Sequence, residues 1–330
     1  MSIQACNLTK TYGNKTVVND LSFTVTPGQV TGFLGPNGAG KSTTMRLILG
    51  LDIANSGTAT INGKCINEFA APMREVGVLL DAGYLHPTRT AHNHLWALAA
   101  SNGIARKRVD DVLELVGLGE VSRQRVGTFS LGMKQRIGLA GALLGDPGVI
   151  ILDEPANGLD PEGVHWIRNF LTKLADEGRT VFVSSHLLAE MALIAEQLVV
   201  IGAGKLITQT SLSEVTASAS GSFVYVRSPK VELLKDALVR TGATATNSGS
   251  GISVTSWEEA AIGRFAFEQG FEIHELATRT PTLEEAFLEL TANSQQYRTL
   301  TTSSATSRPS PRPGTELSNE SNHTSLIESR

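Results

Sequence analysis

Three features of this sequence predict an α/β fold followed by a smaller α+β unit. Between about residues 30 and 208, apolar runs of strand length alternate with segments of helical apolar spacing. One run, Val30-Thr31-Gly32-Phe33-Leu34, leads into a glycine-rich loop and then a helical stretch from Thr44 to Gly50. From Phe223 the patterns resume in the order βαββαβ, which suggests a small ferredoxin-like domain.

The loop reads Gly35-Pro36-Asn37-Gly38-Ala39-Gly40-Lys41-Ser42-Thr43 and fits the phosphate-loop pattern G-x-x-x-x-G-K-[ST]. Glycines let successive backbone N–H groups turn inward without a Cβ in the way. The helix that starts near Lys41 points its positive end at the same place. Lys41 is placed to reach the β- and γ-phosphates, and the Ser42 hydroxyl to ligate Mg²⁺. The bare pattern arises by chance in roughly one or two chains in a hundred of this length. The strand and helix flanks lower that further, so a nucleotide site is predicted.

Composition narrows the classes. The chain has 330 residues, 41% hydrophobic and 18% charged, which suits a soluble protein with a sizeable core. A net charge of −4 argues against binding driven by nucleic-acid phosphates. No apolar run approaches the ~18–20 residues of a bilayer span. Met1 to Lys10 lacks the basic and apolar regions of a signal peptide, so a cytoplasmic location is expected. Cys6 and Cys65 have no metal-ligand spacing and are expected to be reduced thiols.

In chain order, Ile3–Leu8, Lys15–Val18 and Leu21–Val25 predict a small antiparallel sheet, ended by a turn at Pro27-Gly28. Tyr12 lies in a turn between the first two strands. Its π-face suits an adenine ring, and the position equally suits a half-exposed turn tyrosine. Ser56 to Gly63 reads as a strand closed by a type I′ turn at Asn62-Gly63. Val76–Leu80 is a buried strand, and Thr90–Ser101 and Val109–Val116 are helices. His92 and His94, two apart on the first, face different sides and are expected to be solvated. Ser130 caps a helix running to about Leu144. With Gly132 beside it, that helix start is either a plain capped end or a second anion site.

Val149–Leu152 is a buried strand ending in Asp153 and Glu154. Strand alternation divides their work: one carboxylate can bind the water shell of Mg²⁺, the other can face an attacking water. Asn157 to Pro161 turns into a helix over Glu162–Leu174. Thr180–Ser184 is a strand with His186 just past its carboxyl end, where α/β sheets bind ligands. Leu198–Ile201 and Lys205–Thr208 form a hairpin. Residues 211–221 read as a linker with a short helix, Ser211 and Glu214 forming its capping box. In the last unit the expected elements are strand Phe223–Arg227, helix Val231–Arg240 and two strand pieces in Ala243–Thr255. A helix from Ser256 to Gln269, opened by a capping box, and a strand Phe271–Leu276 complete it. A final helix from Pro281 has Leu283, Ala286, Phe287 and Leu290 on one face, and the Ser/Thr-rich tail from Tyr297 is expected to be disordered.

Together, Tyr12, the loop at 35–43, the Ser130-x-Gly132 helix start, the Asp153-Glu154 strand end, the Gly158-Leu159-Asp160 turn and His186 resemble the ATP-binding subunit of ABC transporters. The match covers about residues 1 to 215. Residues 281–287, Pro-Thr-Leu-Glu-Glu-Ala-Phe, look like the end of subunits from multidrug and antibiotic exporters of the daunorubicin- or bacitracin-resistance type. The resemblance implies a P-loop nucleotide-hydrolase core over 1–215, with an N-terminal antiparallel β subdomain and a helical insert at about 82–145. A regulatory or dimerising C-terminal domain over 220–292 and a tail over 297–330 follow. It implies ATP and Mg²⁺ as cofactors. By position, Tyr12 stacks on adenine, residues 35–43 hold phosphates, and Ser42 and Asp153 support Mg²⁺. Glu154 polarises the attacking water, and His186 contacts the γ-phosphate. Ser130 and Gly132 bind the γ-phosphate of ATP held by the other subunit, with Asp160 at that interface.

Two departures stand out. The family usually reads Leu-Ser-Gly-Gly-Gln where this chain has Phe129-Ser130-Leu131-Gly132-Met133. It also carries Gln where this chain offers Asp81, a shorter and charged ligand for Mg²⁺. One phosphate loop and one signature helix per chain imply that two copies complete two sites. The function expected is that of an ATPase, peripheral on the inner face of the membrane, driving a separate permease that exports a hydrophobic drug or antibiotic. The alternative is a soluble ABC-type ATPase acting on nucleic acid or ribosomes. The acidic balance and the lack of a second nucleotide domain or long coiled-coil insert disfavour it.

Overall fold

A computed structural model describes residues 1–80, 85–218 and 222–279. Asp81, the helix expected from Pro281 and the tail lie outside the described residues. The N-terminal unit begins with β1 (Ile3–Tyr12), β2 (Lys15–Val25), β3 (Val30–Leu34), α1 (Lys41–Ile48) and β4 (Ser56–Ile61). The short α2 (Pro72–Glu75) leads into β5 (Val76–Leu79), and the helices α3 (Ala91–Ser101), α4 (Arg106–Leu115) and α5 (Leu131–Ala142) follow. The chain returns as β6 (Val149–Asp153), α6 (Pro161–Asp176), β7 (Thr180–Ser185), α7 (Leu188–Ala192), β8 (Gln197–Gly202), β9 (Lys205–Ser211) and α8 (Leu212–Ser218).

Two sheets result. One is antiparallel, in the order β2-β1-β4, and the other has the order β5-β6-β7-β3-β8-β9. The second is parallel except for its β8–β9 hairpin. Its middle strands are apolar on both faces, as a sheet covered on both sides requires. Val149, Ile151 and Phe182 point to the layer shared with β1, β2 and α1, while Ile150, Leu152, Val181 and Val183 point to the helices. Phe33 and Phe182, with ring centroids 5.1 Å apart, join Phe23 of β2 at 5.5 and 5.6 Å to weld the two sheets.

The two runs expected at Lys15–Val18 and Leu21–Val25 are one strand. Its alternation breaks at Asp20, whose φ is 53°. The Asn7 side-chain amide, from a residue with φ of 50°, donates to Asp20 Oδ1 at 2.8 Å, so the irregularity is a bulge. The Asn62-Gly63 turn has positive φ at both residues (53° and 79°), as type I′ demands.

The C-terminal unit holds β10 (Phe223–Arg227), α9 (Val231–Arg240), β11 (Ala245–Ser248), β12 (Gly251–Val254), α10 (Glu259–Glu268) and β13 (Glu275–Arg279). The strand order β11-β12-β10-β13, antiparallel throughout, is that of a ferredoxin-like fold. Leu234, Leu238, Ile262 and Ala266 pack the two helices on Val224, Val226, Ile252 and Val254. Two boundaries differ from expectation. Ser256 does not cap α10: its hydroxyl accepts from Thr244 N at 2.7 Å, and Glu258 takes the N-cap position. The last strand starts at Glu275 because it pairs with β10 from Arg227 back to Phe223, leaving Phe271 and Ile273 to pack on the core from a loop.

Neither α3 histidine is solvated as expected. His92 Nε2 lies 3.5 Å from Asp110 of α4, and His94 Nδ1 is buried with no hydrogen-bond partner. Burial, then the charge of Arg89 and His86, holds the His94 imidazole below its ordinary 6.5. The unfolded chain therefore takes up a proton that the folded chain refuses. This contribution to stability is complete above that ordinary value and is lost as the pH falls below it. Replacing His94 by Leu should flatten the fall in melting temperature between about pH 7 and 5. An unchanged slope would show that another group carries it.

Candidate nucleotide site

β6, β7 and β3 lie side by side with Asp153 opposite Ser184 and Leu34 opposite Ser185. Their carboxyl ends are level, so the segments that follow converge. They form a cavity of about 300 Å³ lined by Val17, Asn37, Gly38, Gly40, Lys41, Ser42, Thr43, Glu154, Asn157 and His186. Gly38 and Gly40 hold φ of 81° and 107°. A β-carbon on Gly40 would lie 2.7 Å from the Val17 carbonyl oxygen. Gly40 is the N-cap of α1 and offers no side chain to its first N–H groups, which leaves them for an anion.

Lys41 is buried, donating to the Gly35 carbonyl at 2.7 Å and lying 3.5 Å from Glu154 Oε1. The other carboxylate oxygen of Glu154 is 2.8 Å from His186 Nδ1. Glu154 has φ of 49°, and its N–H donates to Ser184 Oγ at 2.9 Å. The Ser184 hydroxyl donates in turn to Asp153 Oδ1. The two adjacent carboxylates thus have different partners, as strand alternation requires. Ser184, Asn157 and Val17 escaped the sequence reading. A serine closing an apolar strand is a detectable signal for the first. Val17 contributes its backbone, which leaves no mark in residue type.

Ser42 lines this cavity and is exposed, whereas Asp153, one residue before Glu154, is half-buried and does not line it. Among the described residues no group of three His, Cys, Asp or Glu side chains could hold a metal. A hydroxyl and one carboxylate, both oxygen donors, suit Mg²⁺, which takes few protein ligands and completes its shell with water and phosphate. Zinc or iron would need more.

Ser130, Gly132 and Asp160 stand elsewhere, lining a second cavity of about 560 Å³ with Arg136 and Trp166. Ser130 Oγ accepts from Met133 N at 3.2 Å and Asp160 Oδ1 from Gly163 N at 2.8 Å, so both are helix N-caps. The helix start and the turn at 158–160 interlock. A β-carbon on Gly158 would meet Leu131 Cδ2 at 2.5 Å, and one on Gly132 would meet Leu159 Cδ2 at 3.6 Å. Tyr12 lines neither cavity. It sits at the β1–β2 hairpin, 45% exposed, its hydroxyl donating to Asp52 Oδ2 at 2.9 Å.

A family model described as ABC transporter matches residues 18–157, and one described as a domain of unknown function (DUF8746) matches residues 222–284. The uncharacterized ABC transporter ATP-binding protein YhcH of Bacillus subtilis is 37% identical over 296 residues, 88% of this chain and 96% of that protein. The bacitracin transport ATP-binding protein BcrA of Enterococcus faecalis is 40% identical over 216 residues, 64% of this chain and 70% of its own. The dimeric, post-hydrolysis structure of the ATP-binding cassette MJ0796, bound to ADP and Pi, superposes with a TM-score of 0.57 at 25% identity, covering 63% of this chain and 98% of that one.

Substituting Gly40 by Ala forces an L side chain into left-handed backbone and onto the Val17 carbonyl. The expected loss is about 1–3 kcal/mol in urea unfolding, together with loss of nucleotide binding in a titration. Wild-type binding by the variant would show that the loop tolerates a Cβ.

Proposed function

Since this chain belongs to the ATP-binding proteins of ABC transporters and is an ATPase, we propose that it closes as a dimer around two ATP molecules and drives a separate membrane permease. The substrate class we infer is a hydrophobic drug or antibiotic, after the bacitracin transport relative. No helix among the described residues is long and apolar enough to cross a membrane. The permease we infer is a separate polypeptide, at the inner face of the membrane, after the ATP-binding subunits of transport systems that this chain is similar to. Residues 222–279 have a core of their own, which supports reading them as a separate C-terminal domain.

The observation that carries the reading is the cluster of Lys41, Glu154 and His186 around the glycine loop. An ATP phosphate competes with the Gly35 carbonyl and Glu154 for Lys41. The loop N–H groups and the start of α1 hold the β- and γ-phosphates. Released from Lys41, Glu154 accepts a proton from a water whose oxygen attacks the γ-phosphorus. The bond from γ-phosphorus to the bridging oxygen breaks, and ADP and phosphate leave. His186 orients Glu154 through Nδ1 and contacts the γ-phosphate. Mg²⁺, held by Ser42 and Asp153, would supply charge neutralisation for the phosphates. Tyr12 supplies a face for the adenine. Ser130, Gly132 and Asp160 form the half-site offered to the second subunit, which accounts for their separation from Lys41 within one chain.

Removing a general base costs typically ~10²–10⁴ in rate. Glu154→Gln should therefore bind ATP, hydrolyse it that much more slowly and elute as a dimer on gel filtration with ATP. Near wild-type turnover would remove Glu154 from this role. The permease reading is tested by capture of this chain from detergent-solubilised membranes of its own host. A co-purifying polytopic membrane protein is expected, and ribosomal or DNA-bound partners alone would overturn it.

A further inference from the structure

Tyr12 is not a free surface ring. Its hydroxyl donates to Asp52 Oδ2 at 2.9 Å, and the same oxygen accepts from Arg46 Nε at 2.8 Å. Arg46 and then Tyr12 hold the Asp52 carboxyl below the usual range, so it is an anion at neutral pH. Lys10 Nζ lies 4.9 Å from the Tyr12 ring centroid and is fixed by donating to the Ile53 carbonyl at 2.7 Å. One face of the ring is therefore taken by an ammonium group, leaving the other for a planar partner. Arg46 belongs to α1, the helix that begins with Lys41. The phosphate lysine and the anchor of the aromatic ring are thus borne by one helix and the turn that ends it.

We propose that Asp52 is a positioning residue for nucleotide binding: through the Tyr12 hydroxyl it sets the ring as a one-faced platform for the base, at a fixed reach from the phosphate loop. The inference rests on the reading of Tyr12 as the adenine platform. An exposed tyrosine otherwise loses rotamer freedom when a base stacks on it, and a ring already held has less to lose. Because stacking accepts any base, the effect of Asp52 should be the same for ATP and GTP.

The test is a set of variants of the full chain, Asp52→Ala, Tyr12→Phe, the double variant and Tyr12→Ala, with KM and kcat read for ATP and GTP. Asp52→Ala and Tyr12→Phe should each raise KM about 3- to 10-fold with kcat unchanged. The double variant should add nothing, since both remove one contact. Tyr12→Ala should raise KM by about 5- to 100-fold. Tyr12→Phe leaves the Asp52–Arg46 pair intact, so it decides the matter even where Asp52→Ala fails to fold. An effect of Tyr12→Ala with none from Tyr12→Phe would overturn the positioning role alone, as would additive losses in the double variant. No effect of Tyr12→Ala would overturn the platform reading beneath it.

Discussion

Parallel hydrogen bonding of β6 to β7 and of β7 to β3 puts Asp153 opposite Ser184 and Leu34 opposite Ser185. A shift of one residue in either pairing would turn each side chain to the other face of the sheet. The register is held because both faces are packed, with Ile150 and Leu152 on one side and Val149 and Ile151 on the other. The apolar core thereby sets the polar geometry. Lys41, Glu154 and His186 meet because three strands, fully buried between two apolar layers, end at one level.

Each charged group of the glycine-loop cavity has more than one partner or a partner of its own. A buried ammonium needs partners, and Lys41 has the Gly35 carbonyl and Glu154. Glu154 has a second partner in His186. Asp153 is tied to Ser184 instead, so the two adjacent carboxylates do not compete for one cation.

The second cavity follows a different logic. Ser130 and Asp160 spend their side-chain oxygens as helix caps, which fixes the backbone around them. Leu131 fills the space that the missing side chain of Gly158 leaves, and Leu159 lies in ordinary contact range of Gly132, so the helix start packs against the turn. Leu131 is half-exposed, so burial alone does not account for it. The departure from the usual family glycine at this position thus has a local structural consequence: two segments that face the same cavity are held as one piece.

Local chemistry determined much of this protein from sequence alone. The glycine loop, the caps at Ser130 and Asp160, the Asn62-Gly63 turn and the apolar strand before Asp153 are each specified by residues within a few positions of one another. The ferredoxin-like strand order was legible for the same reason, through element succession. Tertiary structure decided the rest. The bulge at Asp20 needs Asn7, the hold on Asp153 needs Ser184 thirty-one residues on, and the anchor of Tyr12 is Asp52, forty residues away. Ser256 looked like a cap and became the acceptor for Thr244, and His94 looked solvated but has its Nδ1 buried without a partner. Periodicity and capping report what a segment does by itself. Which residue on a distant segment comes within 3 Å is set by how the layers pack, and no short window of sequence contains that information.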